Sequence, residues 1–227
     1  MDLSFDRFRL AAATADLGDE PAARPHADCV EFRMDLASDP LDALAGYDGE
    51  LPLLATNRAA WEGGEAGDDE RRLRTLREAA AHDAVAAVDV ELAAVGTDAG
   101  DRTVARARAN GAEVVASAHD FEGTPAPQTL RNVLARAARA GDVGKVAVRA
   151  ADPDDALAVL AATRAATRSG DRVATMAMGE AGRHTRALAP VYGSRVGYAP
   201  VDPAAATAPG QYDLATLRRL VDGLASE

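Results

Sequence analysis

Short apolar runs recur along the whole chain and alternate with segments in which apolar residues are spaced by three and four. Eight runs have the length and the Val, Leu and Ala content of buried strands. They begin at Phe8, Cys29, Pro52, Ala84, Glu113, Lys145, Arg172 and Arg195. Several are apolar at nearly every position, which is typical of parallel strands covered by helices on both faces.

Four further segments carry a helical pattern of apolar residues. They cover 70–82, 126–141, 152–170 and 212–227. In the first, Leu73, Leu76 and Ala80 lie on one helical face. The third opens with Asp152 and Pro153, a capping residue followed by proline at the first helical position. The connector after the first strand contains two prolines, and we expect little helix there.

Eight strands that alternate with helices or short connectors predict an α/β protein with a (β/α)8 TIM barrel fold, formed by one domain over 1–227. An open doubly wound sheet is the alternative. That fold usually carries a glycine-rich G-x-G-x-x-G turn after its first strand, and ADLGDEP stands there instead. The barrel is therefore favoured.

The charge balance narrows the class of partner. The chain has 36 Asp and Glu against 25 Lys and Arg, a net charge of -11, which argues against binding to nucleic acid. It has no apolar run of the roughly 20 residues that cross a bilayer and no signal-like N-terminus, so we expect a cytoplasmic protein with no membrane partner. The acidic surface suggests a salt-adapted organism.

The basic residues are uneven, since 24 are arginine and Lys145 is the single lysine. A lysine amine becomes a nucleophile toward ketones when burial or neighbouring cations lower its pKa. We expect Arg33, Arg58 and Arg186 to supply those cations and to hold a substrate carboxylate. The plainer interpretation of Lys145 is a solvated charge at the start of a strand.

Polar residues at strand ends are the other candidates, because barrel active sites form at the carboxyl ends of the strands. Glu31, Arg33 and Asp35 alternate with apolar residues in the second strand, which favours an inward direction for all three. Arg58 ends the third strand. His119 ends the fifth and has the chemistry to move a proton near neutral pH. The other three histidines have no evident partner.

At this point several segments resemble one family. The matching pieces, in order, are EFRMD (31–35), TNRAAWEGG (56–64), VDVEL (88–92), SAHDFEGTP (117–125), GKVAV (144–148), MGEAGRHTR (178–186) and ATAPGQ (206–211). Each piece alone is weak, but together, at barrel spacing, they are similar to the type I 3-dehydroquinate dehydratases, Schiff-base enzymes of the shikimate pathway. The resemblance covers most of the chain.

The resemblance implies a role for each matching residue. Lys145 corresponds to the imine-forming lysine, His119 to the general acid and base, and Glu62 to the glutamate that orients the histidine. The implied substrate contacts are made by Glu31, Arg33, Arg58, Arg186, Met178, Thr207 and Gln211. Among them Arg186 corresponds to the residue that grips the carboxylate, and Thr207 and Gln211 to the loop that closes the site. The family commonly has serine where this chain has Thr207.

The implied reaction is the dehydration of 3-dehydroquinate to 3-dehydroshikimate. We expect no cofactor and no metal, since a protonated imine activates the substrate and no His and carboxylate cluster has metal-ligand spacing. Members of the family often form dimers, so the resemblance also suggests a homodimer. Two alternatives stay open: a class I aldolase-type barrel, which shares the lysine, and a barrel that binds a sugar acid without turning it over.

Overall fold

The computed structural model of the chain describes residues 3–202, 204 and 208–224. In this part of the chain, strands and helices alternate from end to end. The strands are β1 (Arg9–Thr14), β2 (Cys29–Arg33), β3 (Leu53–Thr56), β4 (Val85–Glu91), β5 (Glu113–Asp120), β6 (Val143–Arg149), β7 (Val173–Met178) and β8 (Val196–Pro200). The helices are α1 (Glu20–Ala23), α2 (Pro40–Ala45), α3 (Asp69–Ala79), α4 (Asp98–Ala109), α5 (Pro127–Ala140), α6 (Pro153–Arg168), α7 (Thr185–Leu188) and α8 (Leu214–Leu224). None of these described helices is long and apolar enough to cross a membrane.

The eight strands form one parallel sheet that curls into a barrel. Each strand from β1 to β6 pairs with the next one in the chain, and β1 also pairs with β8. Between β7 and β8 the sheet is joined by single bonds: the Arg195 N–H donates to the Val173 carbonyl at 2.7 Å, and the Thr175 N–H donates to Ser194 Oγ at 3.2 Å. The predicted (β/α)8 barrel is confirmed.

Alternation along the strands separates the barrel interior from the helix layer. In β2, Val30 and Phe32 pack in one cluster with Leu73 and Leu76 of α3, whereas Cys29 packs in the barrel interior. Successive strand residues point to opposite faces. Glu31 and Arg33 therefore point inward, as their spacing predicts, whereas Asp35 lies beyond the end of β2.

Four elements differ from the expectation: strand β6, which begins earlier, and helices α2, α4 and α7, which the sequence analysis did not predict. Strand β6 begins at Val143, so that Lys145 is its third residue and not its first. Helix α4 was not predicted, because Asp and Arg residues interrupt its apolar positions. Its buried side is made of small residues, among them Ala99 and Ala107. The connector after β1 holds only a 3-10 turn and the four-residue α1, as its prolines indicate.

Candidate active site

Side chains from six strands meet in one cavity at the carboxyl end of the barrel. Of the predicted site residues, those lining it are Glu31, Arg33, Arg58, Glu62, His119, Lys145, Met178, Arg186 and Gln211. Thr207 lies outside the described residues. The barrel thus brings together groups that are up to 180 residues apart in the chain, from position 31 to position 211.

Lys145 lies deep in this cavity, with 4% of its surface exposed. Its Nζ is 3.0 Å from Asp89 Oδ2, 4.0 Å from Glu31 Oε1 and 4.1 Å from the centre of the Tyr198 ring. Its ion-pair partners are therefore carboxylates, and the three arginines expected around it, Arg33, Arg58 and Arg186, line the same cavity. One of these, Arg58, is joined to the lysine through Asp89, whose Oδ1 lies 2.8 Å from the guanidinium.

Asp89 connects the lysine to a buried network of charges. Its Oδ1 accepts a hydrogen bond from the Ser117 hydroxyl at 2.5 Å, and its Oδ2 accepts one from Lys145. Burial would raise the pKa of Asp89, but Arg58, Lys145 and the Ser117 hydroxyl hold it well below its usual range. Asp89 is therefore an ionised counter-charge for the lysine nitrogen at neutral pH.

Arg58 is the centre of the same network. Its Nη1 lies 3.1 Å from Glu62 Oε2 and 3.1 Å from Glu91 Oε1, and it donates to Ser117 Oγ at 2.7 Å. Burial opposes the charge of Arg58, but the surrounding carboxylates raise its pKa above its ordinary value. The other oxygen of Glu91 contacts Arg72 of α3 at 2.5 Å. The guanidinium of Arg58 thus holds three carboxylates in fixed positions.

Glu62 and His119 face each other across the mouth of the cavity. Glu62 Oε2 lies 3.2 Å from His119 Nδ1, and Oε1 accepts the backbone N–H of His119 at 3.2 Å. Glu62 ends a 3-10 turn that continues into Gly63 with a φ of 79°. A Cβ on Gly63 would meet the Phe121 ring at 2.4 Å, and that ring stacks on the His119 ring with centroids 6.1 Å apart.

Burial shifts the pKa values of this pair in opposite directions. It raises the pKa of Glu62 to about 7, with the nearby Arg58 charge opposing the rise. It lowers the pKa of His119 well below 6.5, and the charges of Arg58 and Lys145 lower it further. The imidazole is therefore neutral near pH 7, the state in which a histidine can accept a proton.

Arg186 is a buried cation without an acidic partner among the described residues. Its described contacts are the Met176 sulfur at 3.8 Å and the Pro209 carbonyl at 3.2 Å, and its Nε has no hydrogen-bond partner. Burial lowers the pKa of Arg186 to about 10, so it remains charged at neutral pH. An unpaired buried cation is costly, and an anionic ligand would relieve that cost.

The two polar residues of β2 are held by neighbours. Arg33 makes a two-point contact with Asp35, at 2.9 Å and 2.7 Å. Burial opposes its charge, but Asp35 and Glu31 raise the pKa of Arg33. The Thr56 hydroxyl donates to Glu31 Oε1 at 3.0 Å. Both side chains are therefore oriented before any ligand binds.

The segment before α8 closes one side of the cavity. Gln211 Oε1 accepts the Ala208 N–H at 3.1 Å. The Pro209 carbonyl accepts from the Gly179 N–H at 3.3 Å as well as from Arg186. Gly210 has a φ of 74°, and a Cβ there would lie 2.5 Å from the Gly179 carbonyl oxygen. The segment is thus anchored on the loop after β7 by close backbone contact.

The sequence reasoning missed several residues of the site, among them Asp89, Glu91, Ser117 and Tyr198. Asp89 and Glu91 carry the same signal as Glu31 and Arg33, since they alternate with valine in a buried strand. Their segment is predicted as a strand and is part of the family resemblance, but neither carboxylate was assigned a role. Ser117 and Tyr198 carry no such signal, because hydroxyl and aromatic residues are common inside strands.

Comparison with known proteins gives one consistent family. A sequence profile described as type I 3-dehydroquinase matches residues 12–225. A protein of Haloarcula marismortui named 3-dehydroquinate dehydratase is 59% identical over 99% of this chain and 100% of its own length. A protein of Halobacterium salinarum with the same name is 52% identical, over 98% of this chain and 100% of its own length.

Solved structures agree in fold and in name. A 3-dehydroquinate dehydratase from Geobacillus kaustophilus superposes with a TM-score of 0.85 at 28% identity, covering 96% of this chain and 91% of that one. A type I 3-dehydroquinate dehydratase from Clostridium difficile, solved with covalently modified comenic acid, has a TM-score of 0.84 at 26% identity, with coverages of 96% and 92%.

Proposed function

Because the chain belongs to the type I 3-dehydroquinase family and dehydrates 3-dehydroquinate to 3-dehydroshikimate in the shikimate pathway, we propose that Lys145 forms the Schiff base for that reaction. The observation that carries the proposal is the position of the single lysine. Its Nζ lies in the cavity, on the ionised Asp89. His119, a neutral base at pH 7, lines the same cavity.

The first step joins Lys145 to the substrate. The free amine adds to the C3 ketone, a C–N bond forms, and the ketone oxygen leaves as water after protonation. The product is a protonated imine, a cation at the same nitrogen that the ammonium occupied. Asp89 keeps its charge throughout because Arg58 and Ser117 also hold it, so it stabilises this cation.

His119 then removes a proton from C2, and the electron pair moves toward the imine nitrogen to give an enamine. Return of that pair breaks the C1–O bond, and His119 gives its proton to the departing hydroxyl, which leaves as water. Addition of water to the conjugated imine breaks the C–N bond and restores the amine. One base that performs both transfers fits a syn elimination.

Glu62 has the geometry to set the tautomer of that base. A carboxylate at 3.2 Å from Nδ1 accepts the N–H there and leaves Nε2 free to take the proton. Arg58 contributes by holding Glu62 and Asp89 in place, because its guanidinium is already occupied by carboxylates.

The remaining residues are assigned to substrate binding. Arg186, which has no described acidic partner, suits the substrate carboxylate. Glu31 and Arg33 are held in position and suit the substrate hydroxyls. Gln211 suits closure over the bound ring, and Met178 supplies an apolar wall. Thr207 is assigned to the same closure on the family resemblance alone.

The test is trapping of the imine. The protein is mixed with 3-dehydroquinate and sodium borohydride in high salt, and the intact mass is followed by peptide mapping. A reduced adduct on the peptide that contains Lys145, with parallel loss of activity, is the expected result. No adduct, or an adduct only on the N-terminal amine, would overturn the assignment.

Lys145→Arg is the matched variant, because arginine keeps the positive charge beside Asp89 but cannot form an imine. It should remain folded, bind substrate and lose activity by ~10⁴-fold or more, the scale seen when a covalent nucleophile is removed. A Lys145→Arg protein that still dehydrates the substrate at a comparable rate would rule out the Schiff base at this position.

Three expectations stay predictions: one domain over 1–227, a cytoplasmic location and a homodimer. Limited proteolysis in high salt tests the first, since a single domain should resist internal cleavage. Cell fractionation tests the second, and light scattering behind a sizing column tests the third.

A further inference from the structure

The aromatic ring of Tyr198 lies against the nitrogen that carries the proposed chemistry. Tyr198 is the third residue of β8, is 4% exposed and packs in the barrel interior. Lys145 Nζ lies 4.1 Å from the centre of its ring. A cation within about 6 Å of a ring centre, over its face, is attracted by the negative face of the π-system, and more strongly where water is excluded.

The hydroxyl group of Tyr198 does not explain why a tyrosine lies beside Lys145. The hydroxyl oxygen is buried and has no hydrogen-bond partner among the described residues. Burial raises the pKa of Tyr198 well above its ordinary value, and the charges of Glu31 and Asp89 raise it further. The phenol therefore stays neutral and is neither a base nor a counter-ion at working pH. Tyr198 therefore interacts with Lys145 through the face of its aromatic ring.

We propose that Tyr198 is a catalytic residue whose ring face stabilises the positive charge on the Lys145 nitrogen, first as ammonium and then as protonated imine. The inference rests on the proposed function, since it requires the imine at Lys145. Its physical basis is the number of N–H groups. An ammonium has three donors, whereas a protonated imine has one.

That single donor can satisfy Asp89, at 3.0 Å from the nitrogen, but it leaves no second N–H for Glu31 at 4.0 Å. The attraction of a ring face depends on charge and needs no N–H. It therefore acts on the protonated imine as it does on the ammonium. A protonated imine is what the dehydration needs, because a neutral imine withdraws electrons poorly.

Other charges act on the same nitrogen and stay in place when the ring is removed. Those that line the cavity or pair with the lysine are Glu31 and Arg33 on β2, Arg58 after β3, Glu62 on the turn that follows, Asp89 on β4, His119 on β5 and Arg186 on α7. Substitutions at Tyr198 leave all of them unchanged. Any difference in pH dependence between these variants can then be attributed to the ring of Tyr198.

The experiment measures the rate of adduct formation with 3-dehydroquinate and sodium cyanoborohydride, which reduces protonated imines selectively, as a function of pH in high salt. Wild type, Tyr198→Phe and Tyr198→Leu are compared. Phe5→Leu is the matched control, because Phe5 is a fully buried aromatic of the same interior cluster and does not line the cavity. Intact mass counts the adduct, so a misfolded fraction lowers the amplitude and not the midpoint.

Loss of the ring face should make the imine lose its proton at lower pH. For Tyr198→Leu we expect the alkaline midpoint to move down by ~1 pH unit and the trapping rate on that limb to fall ~10-fold. Tyr198→Phe should keep the wild-type midpoint, since it keeps the ring. Phe5→Leu should change amplitude or stability and leave the midpoint in place.

A Tyr198→Leu profile with the wild-type midpoint would overturn the proposal, as would a Phe5→Leu shift of equal size. A Tyr198→Phe shift equal to that of Tyr198→Leu would also overturn it, because the hydroxyl would then be responsible. Absence of an adduct in wild type at every pH is a different failure, since it removes the imine at Lys145 and this inference with it.

Discussion

Glu62 holds His119 at two points, with Oε2 at 3.2 Å from the Nδ1 atom and Oε1 at 3.2 Å from the backbone nitrogen. The contact fixes both the ring and the strand end that carries it. The same carboxylate also touches Arg58 at 3.1 Å, which ties the histidine to the charges around Lys145. A change at Glu62 should therefore alter proton transfer without removing any group that bonds to substrate.

The pH dependence of turnover should follow Glu62. Burial raises the pKa of Glu62 to about 7. Glu62 therefore ionises to the carboxylate that orients the histidine as the pH rises through that value. His119, with its pKa held well below 6.5, is neutral on both sides. We expect kcat to rise across about pH 7 in wild type. In Glu62→Gln this rise should be absent and kcat should fall ~10–100-fold.

Steady-state rates measured across neutral pH check this prediction. Glu62→Asp is the conservative variant and should keep an ionisation while losing part of the rate, because its carboxylate is one methylene further from the ring. An unchanged pH profile in Glu62→Gln would show that another group is responsible for the rise.

Arg186→Met should affect binding and stability in opposite directions. Loss of the carboxylate contact should raise KM ~10²-fold, with a smaller effect on kcat. Since Arg186 is a buried cation with no acidic partner among the described residues, its removal should stabilise the free enzyme by about 1–3 kcal/mol. Kinetics and thermal unfolding in high salt measure the two effects.

Arg183→Met is the control for Arg186, because Arg183 lies in the loop just before α7, stacks on Tyr212 and does not line the cavity. It should leave KM near the wild-type value. If Arg186→Met instead lowers stability and leaves KM unchanged, the arginine is a structural residue.

Arg72 should prove to be a positioning residue for the charge network. It is 2% exposed, and its guanidinium contacts Glu91 at 2.5 Å, which in turn holds Arg58. Arg72→Met removes one of the two cations that neutralise the buried Glu91 carboxylate. It should therefore destabilise the fold by about 3–5 kcal/mol. Because the two side chains share one contact, the double variant Arg72→Met/Glu91→Gln should cost less than the sum of the single ones.

Urea unfolding of the four proteins in the cycle gives the coupling energy. Arg102→Met serves as a surface control, since its 3.4 Å pair with Glu70 is more than half exposed on both sides and should be worth under about 1 kcal/mol. Additive effects of Arg72 and Glu91 would mean that their contact does not organise the site.

Gly210→Ala should weaken closure of the cavity. A Cβ at this position would lie 2.5 Å from the Gly179 carbonyl oxygen, and the φ of 74° disfavours any side chain. Gly111 has a similar φ of 78° but nothing within 4 Å of its Cβ position, and it lies after α4, away from the cavity. Gly210→Ala should therefore raise KM ~10-fold, whereas Gly111→Ala should only lower stability.

Substrate titrations of both variants separate the two effects. Equal changes in KM would show that the close approach of Gly210 to Gly179 has no part in substrate binding.

Much of the barrel follows from patterns local in the sequence. Buried runs such as VAAVDVE predict strands because an element covered on both faces needs apolar side chains in both directions. Asp152 and Pro153 mark the start of α6, and the Asp152 side chain accepts two N–H groups there. Helix α4 was not predicted because its buried side consists mostly of small residues, so its apolar and polar positions differ little in hydrophobicity along the sequence.

The active site, too, was predicted from the sequence only in part. Alternation in β2 predicted that Glu31 and Arg33 face inward, and the rarity of lysine drew attention to Lys145. The three arginines expected near Lys145 line its cavity, but the carboxylates that pair with it were not predicted as its partners. Its ion-pair partners are Asp89 and Glu31.

By itself, then, the sequence determined the eight strands, the longer helices except α4, the order of these elements and the residue types available for chemistry, because these depend on spacing along the chain. The tertiary structure decided which carboxylate meets Lys145 and which ring lies against it. Lys145 is 56 residues from Asp89 and more than 50 from Tyr198 on β8. Contacts over such separations depend on strand register and barrel closure, where a shift of one residue turns every side chain to the opposite face.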